Sequence, residues 1–177
     1  MRLTPTIAPD SLHGVMHALI ADLLSQGPIL TDGAWGTQMQ ARGLGLGEFP
    51  DSWNLTHPER VREVATAYVE AGARVILTNT FGSNRIRLNE TGLAERAREL
   101  NETGARLSRE AAAGRCLVFG SIGPSGKLLI TGEVTPAALR TAFLEQAEAL
   151  AAGGADALVV ETMSDLSEAR AAVEAAK

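Results

Sequence analysis

Four short apolar runs, each ending abruptly in a polar residue, constrain this chain more than any other feature. Residues 29–31 run into Asp32, residues 74–78 into Asn79-Thr80, residues 116–121 into Ile122-Gly123-Pro124 after Ser121, and residues 157–160 into Glu161-Thr162. The ends recur about every 40 residues, with amphipathic helical patterns between them. The run over 74–78 shows no alternation, which is typical of strands buried on both faces of a parallel sheet. Parallel strands that each deliver a polar side chain at the carboxyl end form the rim where α/β proteins bind ligands.

The helical patterns complete the expected order. A helix from Asp10 or Ser11 to about Ser25 carries Leu12, Val15, Met16, Leu19, Ile20 and Leu23 on one stripe, and Gly27-Pro28 ends it. Residues 35–54 hold Gly43, Gly45, Gly47 and Pro50 and read as a long loop with a helical turn over 37–42. Long ordered loops of this kind tend to be functional. Thr56 reads as an N-cap, with Glu59 completing a capping box and Pro58 in the first turn of a helix that Gly72 stops. A loop over 81–92 leads into a helix over 93–113. Thr135-Pro136 opens another to about Ala152, and Ser164 or Asp165 caps a last helix reaching Lys177.

The reading is therefore a helix followed by four strand–helix units. It divides the chain into an N-terminal arm and helix over 1–27 and an α/β portion over 28–177. A faint internal echo supports it. Residues 71–80 and 153–162 both read small-Gly-Ala, then an apolar strand, then a polar residue and Thr. An echo spanning two units is the repeat expected of a (β/α) barrel.

Charge and cysteine content exclude several classes. A net charge of -5 with no basic stripe argues against a nucleic-acid partner. Arg85, Arg87, Arg96, Arg98, Arg106 and Arg109 interleave with Glu90, Glu95, Glu99, Glu102 and Glu110, which reads as a solvated helix face. The single cysteine, Cys116, rules out an internal disulfide and fits a reducing compartment. No apolar run is long enough to span a bilayer, and Pro5, Pro9 and Asp10 break any signal-peptide pattern. The expected location is the cytoplasm.

Two carboxylates stand out as chemistry. Asp32 sits between a buried run and Gly33, and Glu161 directly follows Leu158-Val159-Val160, where an unpaired charge is costly. If both strands open into one mouth, the acids converge. A pair of acids suits a substrate ammonium or general acid–base work, and sequence physics leaves both open. Asn79, Thr80, Ser121 and the backbone around Gly123 are uncharged donors and acceptors on the same rim. Trp35 and Trp53 read either as an apolar lid or as anchors of the loop. His13 and His17 are four apart but lack a completing ligand set, so they read as surface histidines. His57 reads as structural and Cys116 as a core residue. No phosphate loop, dinucleotide fingerprint or serine-nucleophile elbow is present.

The ordered set Asp32-Gly33-Ala34-Trp35-Gly36-Thr37, Thr78-Asn79-Thr80-Phe81-Gly82-Ser83-Asn84, Ser121-Ile122-Gly123-Pro124 and Glu161-Thr162-Met163 resembles the homocysteine S-methyltransferase family. That family includes the homocysteine-binding domain of cobalamin-dependent methionine synthase and the betaine-dependent enzymes. The resemblance runs from about Pro28 to Lys177. It implies a (β/α)8 barrel of TIM type of which the chain holds four units, a half barrel. It implies a substrate site in which Asp32 and Glu161 bind the ammonium of homocysteine, with Gly33, Asn79, Thr80 and Ser121 lining it. It also implies a zinc ion that holds the homocysteine thiol as a thiolate for attack on a methyl donor.

The family's zinc ligands are three cysteines, and none has a counterpart here. No catalytic or metal residue is assigned to this chain. The methyl donor is left open among methylcobalamin or methyltetrahydrofolate, betaine and S-methylmethionine types. Three arrangements are compatible: part of a longer enzyme, one half of a split enzyme completed by a second chain, or a half barrel that pairs with a second copy. The last would make it a binding or assembly protein without activity of its own. A barrel lyase using Asp32 and Glu161 as acid and base is the alternative from another enzyme class.

Overall fold

Strand formation follows the apolar runs, but one of the four expected strands is nearly absent. The structure, a computed structural model, describes residues 18–177. Its sheet holds three parallel strands in the order β1 (Val75–Leu77), β2 (Leu117–Ile122) and β3 (Ala157–Val160). Val75 pairs with Leu117, and Phe119 with Ala157, which fixes the register. Where the first strand was expected over 29–31, a single parallel bridge joins Thr31 to Val75. The reason is local. The Asp32 N–H donates to Val75 O, and then the Asp32 carboxylate, not the next carbonyl, accepts the Leu77 N–H at 2.7 Å. The side chain thus replaces the backbone acceptor that would have extended the ladder.

The chain falls into two compact units, a segment up to Leu30 and a unit of Thr31–Lys177. The first contains α1 (Ala18–Ser25), the described part of the first expected helix. The stripe positions Leu12, Val15 and Met16, with His13 and His17, lie outside the described residues.

In the second unit, the helices after the strand positions form a layer. α4 (Pro58–Glu70) packs on α6 (Ala97–Ala112), α6 on α7 (Pro136–Ala152), and α7 on α8 (Leu166–Ala175). Their apolar faces make the core. Ala65, Val69, Ile76 and Val118 join one side of the sheet to α4 and α6, and Ile122, Phe143, Leu150 and Ala172 join the other end to α7 and α8. Close approach is possible because Gly104 on α6 has no side chain. A Cβ there would lie 2.6 Å from both Asn54 Nδ2 and Thr80 Cγ2.

Caps explain the helix starts. Thr135 Oγ1 accepts the Ala138 N–H, and Asp165 accepts those of Ser167 and Glu168. The capping box expected at Thr56 does not form. Thr56 ends a preceding short helix, α3 (Trp53–Thr56), its hydroxyl donates to Ser52 O, and His57 takes the N-cap position with its ring bonded to Thr56 Oγ1 and not to the helix backbone. The expected loops are partly helical. Residues 35–54 contain α2 (Trp35–Gln40) and a 3-10 turn at Pro50–Ser52, while 81–92 contains α5 (Arg85–Leu88). The last helix ends at Ala175.

Candidate functional site

The carboxyl ends of the strands surround a cavity of about 350 Å³, within the size range of small-molecule sites. Gly33, Trp35 and Gly36 line it from the segment after Asp32. Phe49, Pro50 and Asp51 come from the 3-10 region, and Asn79, Phe81, Gly82 and Arg87 from the segment after β1. Ser121 and Glu161 close it from β2 and the end of β3. The structure therefore brings Gly33, Asn79, Ser121 and Glu161 together. It sets Asp32 and Thr80 just behind the lining.

Asp32 is held rather than free. Its Oδ2 accepts the Leu77 N–H and, at 2.8 Å, the indole N–H of Trp35, both groups belonging to lining residues. No described residue donates to Oδ1. Burial pushes the Asp32 carboxyl above the usual carboxylate range. The Leu77 and Trp35 bonds oppose this, and the charge of Glu161 adds to it. The charge of Glu161 thus reaches Asp32. Tyr68 from α4 donates to Ala34 O and steadies the turn between Asp32 and Trp35.

Glu161 follows directly on β3, and its N–H donates to Ile122 O. Ser121 Oγ donates to Glu161 Oε1 at 2.6 Å, which aims the carboxylate. The next residue, Thr162, takes φ +57, a left-handed conformation that costs a β-branched residue energy.

Ser121 itself is fixed by a closed ring of bonds. Its N–H donates to Thr78 Oγ1, Thr78 and Thr80 hydroxyls lie 2.6 Å apart, and Thr80 Oγ1 donates to Ser121 O. Each hydroxyl has one proton. With Thr80 giving its proton to Ser121 O, Thr78 must donate to Thr80. Thr80 is fully buried, and its carbonyl accepts from Gln146 on α7. It supports Ser121 from behind and is not part of the cavity wall. Asn79 is both wall and scaffold. Its Nδ2 donates to Pro50 O and Asn54 Oδ1, while its Oδ1 takes no bond from a described residue.

Two residues of the site were not read from the sequence. Asp51 is buried, and its Oδ2 accepts from the Gly82 N–H and from Ser83 Oγ. Burial pushes it up to about 6, although the Ser83 and Gly82 bonds and the charge of Arg87 pull it down. Its burial is created by residues more than thirty positions away, so no local pattern signals it. Arg87, expected on a solvated helix face with its neighbours, instead lines the cavity. Its neighbours do follow the expectation: Arg96 pairs with Glu99 and Arg106 with Glu110 in the open.

Trp35 and Trp53 part ways. Trp53 is a core anchor packed with Met39, Val61, Val64 and Leu107, its indole N–H bonded to Glu48. Trp35 lines the cavity. Cys116 is buried just before β2, at the end of the sheet away from the cavity, and burial pushes its thiol up. Among the described residues no three His, Cys, Asp or Glu side chains are placed to hold a metal ion. The described residues therefore do not fit the family's zinc. Nor is any described helix long and apolar enough to cross a membrane.

A parallel α/β unit with a cavity at the carboxyl ends of its strands, where Glu161 and Arg87 meet it, defines the fold class. The particular family follows from comparison: the model of the homocysteine S-methyltransferase family matches residues 29–177, and the chain belongs to that family. The chain is 38% identical to methionine synthase of Mycobacterium tuberculosis and 35% identical to that of Mycobacterium leprae, each over 166 residues. Each alignment takes in 87% of the chain but only 14% of the relative, so the chain spans about a seventh of these enzymes. The metallated form of the homocysteine methyltransferase MmuM from Escherichia coli superposes with a TM-score of 0.77 at 30% identity. It covers 88% of this chain and 61% of that one. The apo form of MmuM gives 0.66.

Proposed function

We propose that this chain is the homocysteine-binding portion of an S-methyltransferase that converts homocysteine to methionine. The observation that carries the reading is the acid pair at the cavity. Glu161 is aimed by Ser121, and Asp32 is held behind the rim and raised by burial and by the charge of Glu161. An ammonium placed at these carboxylates gains charge-assisted bonds and relieves their mutual repulsion. In this reading Asp32 and Glu161 receive the amino group of homocysteine, Gly33 and Asn79 line its side, and Ser121 orients Glu161. Thr80 acts indirectly, by holding Ser121.

The bridge at Thr31 and the three strands are then the first four β/α units of a (β/α)8 barrel. The remainder of a longer protein, such as the relatives of which this chain covers only part, or a second chain, completes it and carries the zinc. β3 supports this: unlike β1 and β2 it is only half-buried along its whole length, as a strand awaiting a neighbour is. The proposed location is cytoplasmic. The methyl donor is set by that other part.

Calorimetric titration of the chain with L-homocysteine tests the reading, combined with methyl transfer from a labelled donor in the presence of any completing chain. Binding that disappears in Glu161→Gln supports it. Absence of binding to the unsubstituted chain overturns it. The raised Asp32 favours one second reading, a lyase with Asp32 and Glu161 as acid and base. Labelled methyl appearing in methionine rules that out.

A further inference from the structure

The cavity is not uniformly acidic. Arg87 is the only basic residue in its lining, set on the segment after β1, whereas Glu161 enters from the end of β3. Its neighbours on α5 are engaged elsewhere. Arg85 forks onto Glu145 of α7 with bonds of 2.8 and 2.9 Å and also reaches Glu95. Leu88 is fully buried. The Asn84 cap accepts the Arg87 N–H, which fixes the start of α5. The short helix is thereby pinned on one side, and Arg87 is left to face the cavity.

The guanidinium is positioned but unpaired. Its carbon lies 5.9 Å from the centre of the Phe81 ring. Its Nε lies 3.1 Å from where a Cβ on Gly82 would stand, so the absence of that side chain makes room for it. Its Nη1 lies near Gly126 of the segment after β2. No ion pair or side-chain hydrogen bond ties it to a described residue. Asp51 and Glu90 feel its charge, but Asp51 is bonded to Gly82 and Ser83, and Glu90 to Lys127. A half-buried guanidinium held near the Phe81 ring with its fork free is preorganised for a planar carboxylate, which it can grip through two parallel bonds.

We propose that Arg87 recognises the α-carboxylate of the amino-acid substrate across the cavity from Glu161, so that the site selects a zwitterion and not a simple amine. The inference rests on the homocysteine reading and adds the residue that sets substrate class. Arg87 is a binding residue. A merely structural Arg87, serving only to offset Asp51, would affect every ligand of the cavity alike.

The test compares two thiols by calorimetric titration of the full chain. L-Homocysteine carries ammonium, thiol and carboxylate; 3-aminopropane-1-thiol lacks only the carboxylate. Arg87→Gln and Arg87→Lys are titrated beside the unsubstituted protein, with circular dichroism confirming that each is folded. The expected result is about ten-fold or more weaker homocysteine binding in Arg87→Gln, partial recovery in Arg87→Lys, and aminopropanethiol binding within about two-fold of the unsubstituted protein. Equal loss for both ligands, or no loss for homocysteine, overturns the role of Arg87 while leaving the homocysteine reading standing. Failure of the unsubstituted protein to bind homocysteine overturns that reading, and this inference with it.

Discussion

The cavity has a tight side and an open side, and they use polar residues in opposite ways. On the tight side, Asp51, Asn54, Asn79, Thr80, Ser83, Asn101 and Gln146 are all buried, and they bond to one another or to backbone. Asn54 alone donates to the carbonyls of Asn79 and Leu100, tying α3 to the end of β1 and to α6. On the open side, Glu161 is half-buried and held by one strong bond, Thr162 is exposed and left-handed, and Asp32 keeps one oxygen without a donor. Buried polar groups whose side-chain donors all meet protein acceptors are scaffold, even where one oxygen, such as Gln146 Oε1, stays unmatched. Groups with unused valence at a cavity edge are where a ligand can bind. The comparison predicts that substitutions on the tight side move stability and those on the open side move binding.

The largest effect is expected at Asp51. Asp51→Ala leaves the Gly82 N–H and the Ser83 hydroxyl without their buried acceptor and should lower unfolding free energy by about 3–4 kcal/mol in urea titrations. A loss under about 1 kcal/mol would break the division into two sides. Asp51 also carries a pH signature. Burial holds its carboxyl up at about 6 in the folded state, above the ordinary range of an exposed aspartate, so the folded state binds the proton more tightly. Its contribution is therefore favourable at low pH and is lost as pH rises from about 4 to about 6, by about 3 kcal/mol. Subtracting the stability curve of Asp51→Asn from that of the unsubstituted protein isolates this slope, and a flat difference would refute it.

Gly104→Ala comes next. A methyl group there meets Asn54 Nδ2 and Thr80 Cγ2 at 2.6 Å, so α6 must shift or the network must open. A cost of about 2–3 kcal/mol is expected in thermal or urea unfolding. On the open side, Glu161→Gln should leave stability within about 1 kcal/mol yet weaken homocysteine binding about ten-fold or more, because a charged partner of the ammonium is lost. A stability loss as large as that of Asp51→Ala would place Glu161 on the scaffold side instead. The smallest effect is expected at Thr162. Thr162→Gly removes the left-handed strain at φ +57 and should raise stability by up to about 1 kcal/mol, read as a small increase in the urea midpoint.

Much of this architecture was legible in the residues. The runs at 74–78, 116–121 and 157–160 became β1, β2 and β3 within one or two residues, because buried parallel strands are written as continuous apolar stretches. Thr135-Pro136 and Asp165 started helices as their capping chemistry requires. The first strand was not legible as it formed, because the Asp32 side chain takes the bond that would have continued it. The Thr56 capping box failed because α3 had already claimed Thr56 as a helical residue. The helical turn expected over 37–42 forms two residues earlier, at Trp35–Gln40, whereas Arg85–Leu88 lies in a segment that read as loop and is folded by tertiary contacts.

The sequence by itself determined the parallel α/β order, the placement of Asp32, Asn79, Ser121 and Glu161 near strand ends, and the family to which those motifs belong. These follow from local periodicity and from chemistry that sits within a few residues of each strand. Only the tertiary structure decided which polar residues are free to meet a ligand. The burial of Asp51, the enclosed ring through Thr78, Thr80 and Ser121, and the unpaired guanidinium of Arg87 all depend on partners tens of residues away. Desolvation and hydrogen-bond satisfaction are properties of the packed neighbourhood, and no stretch of sequence carries them alone.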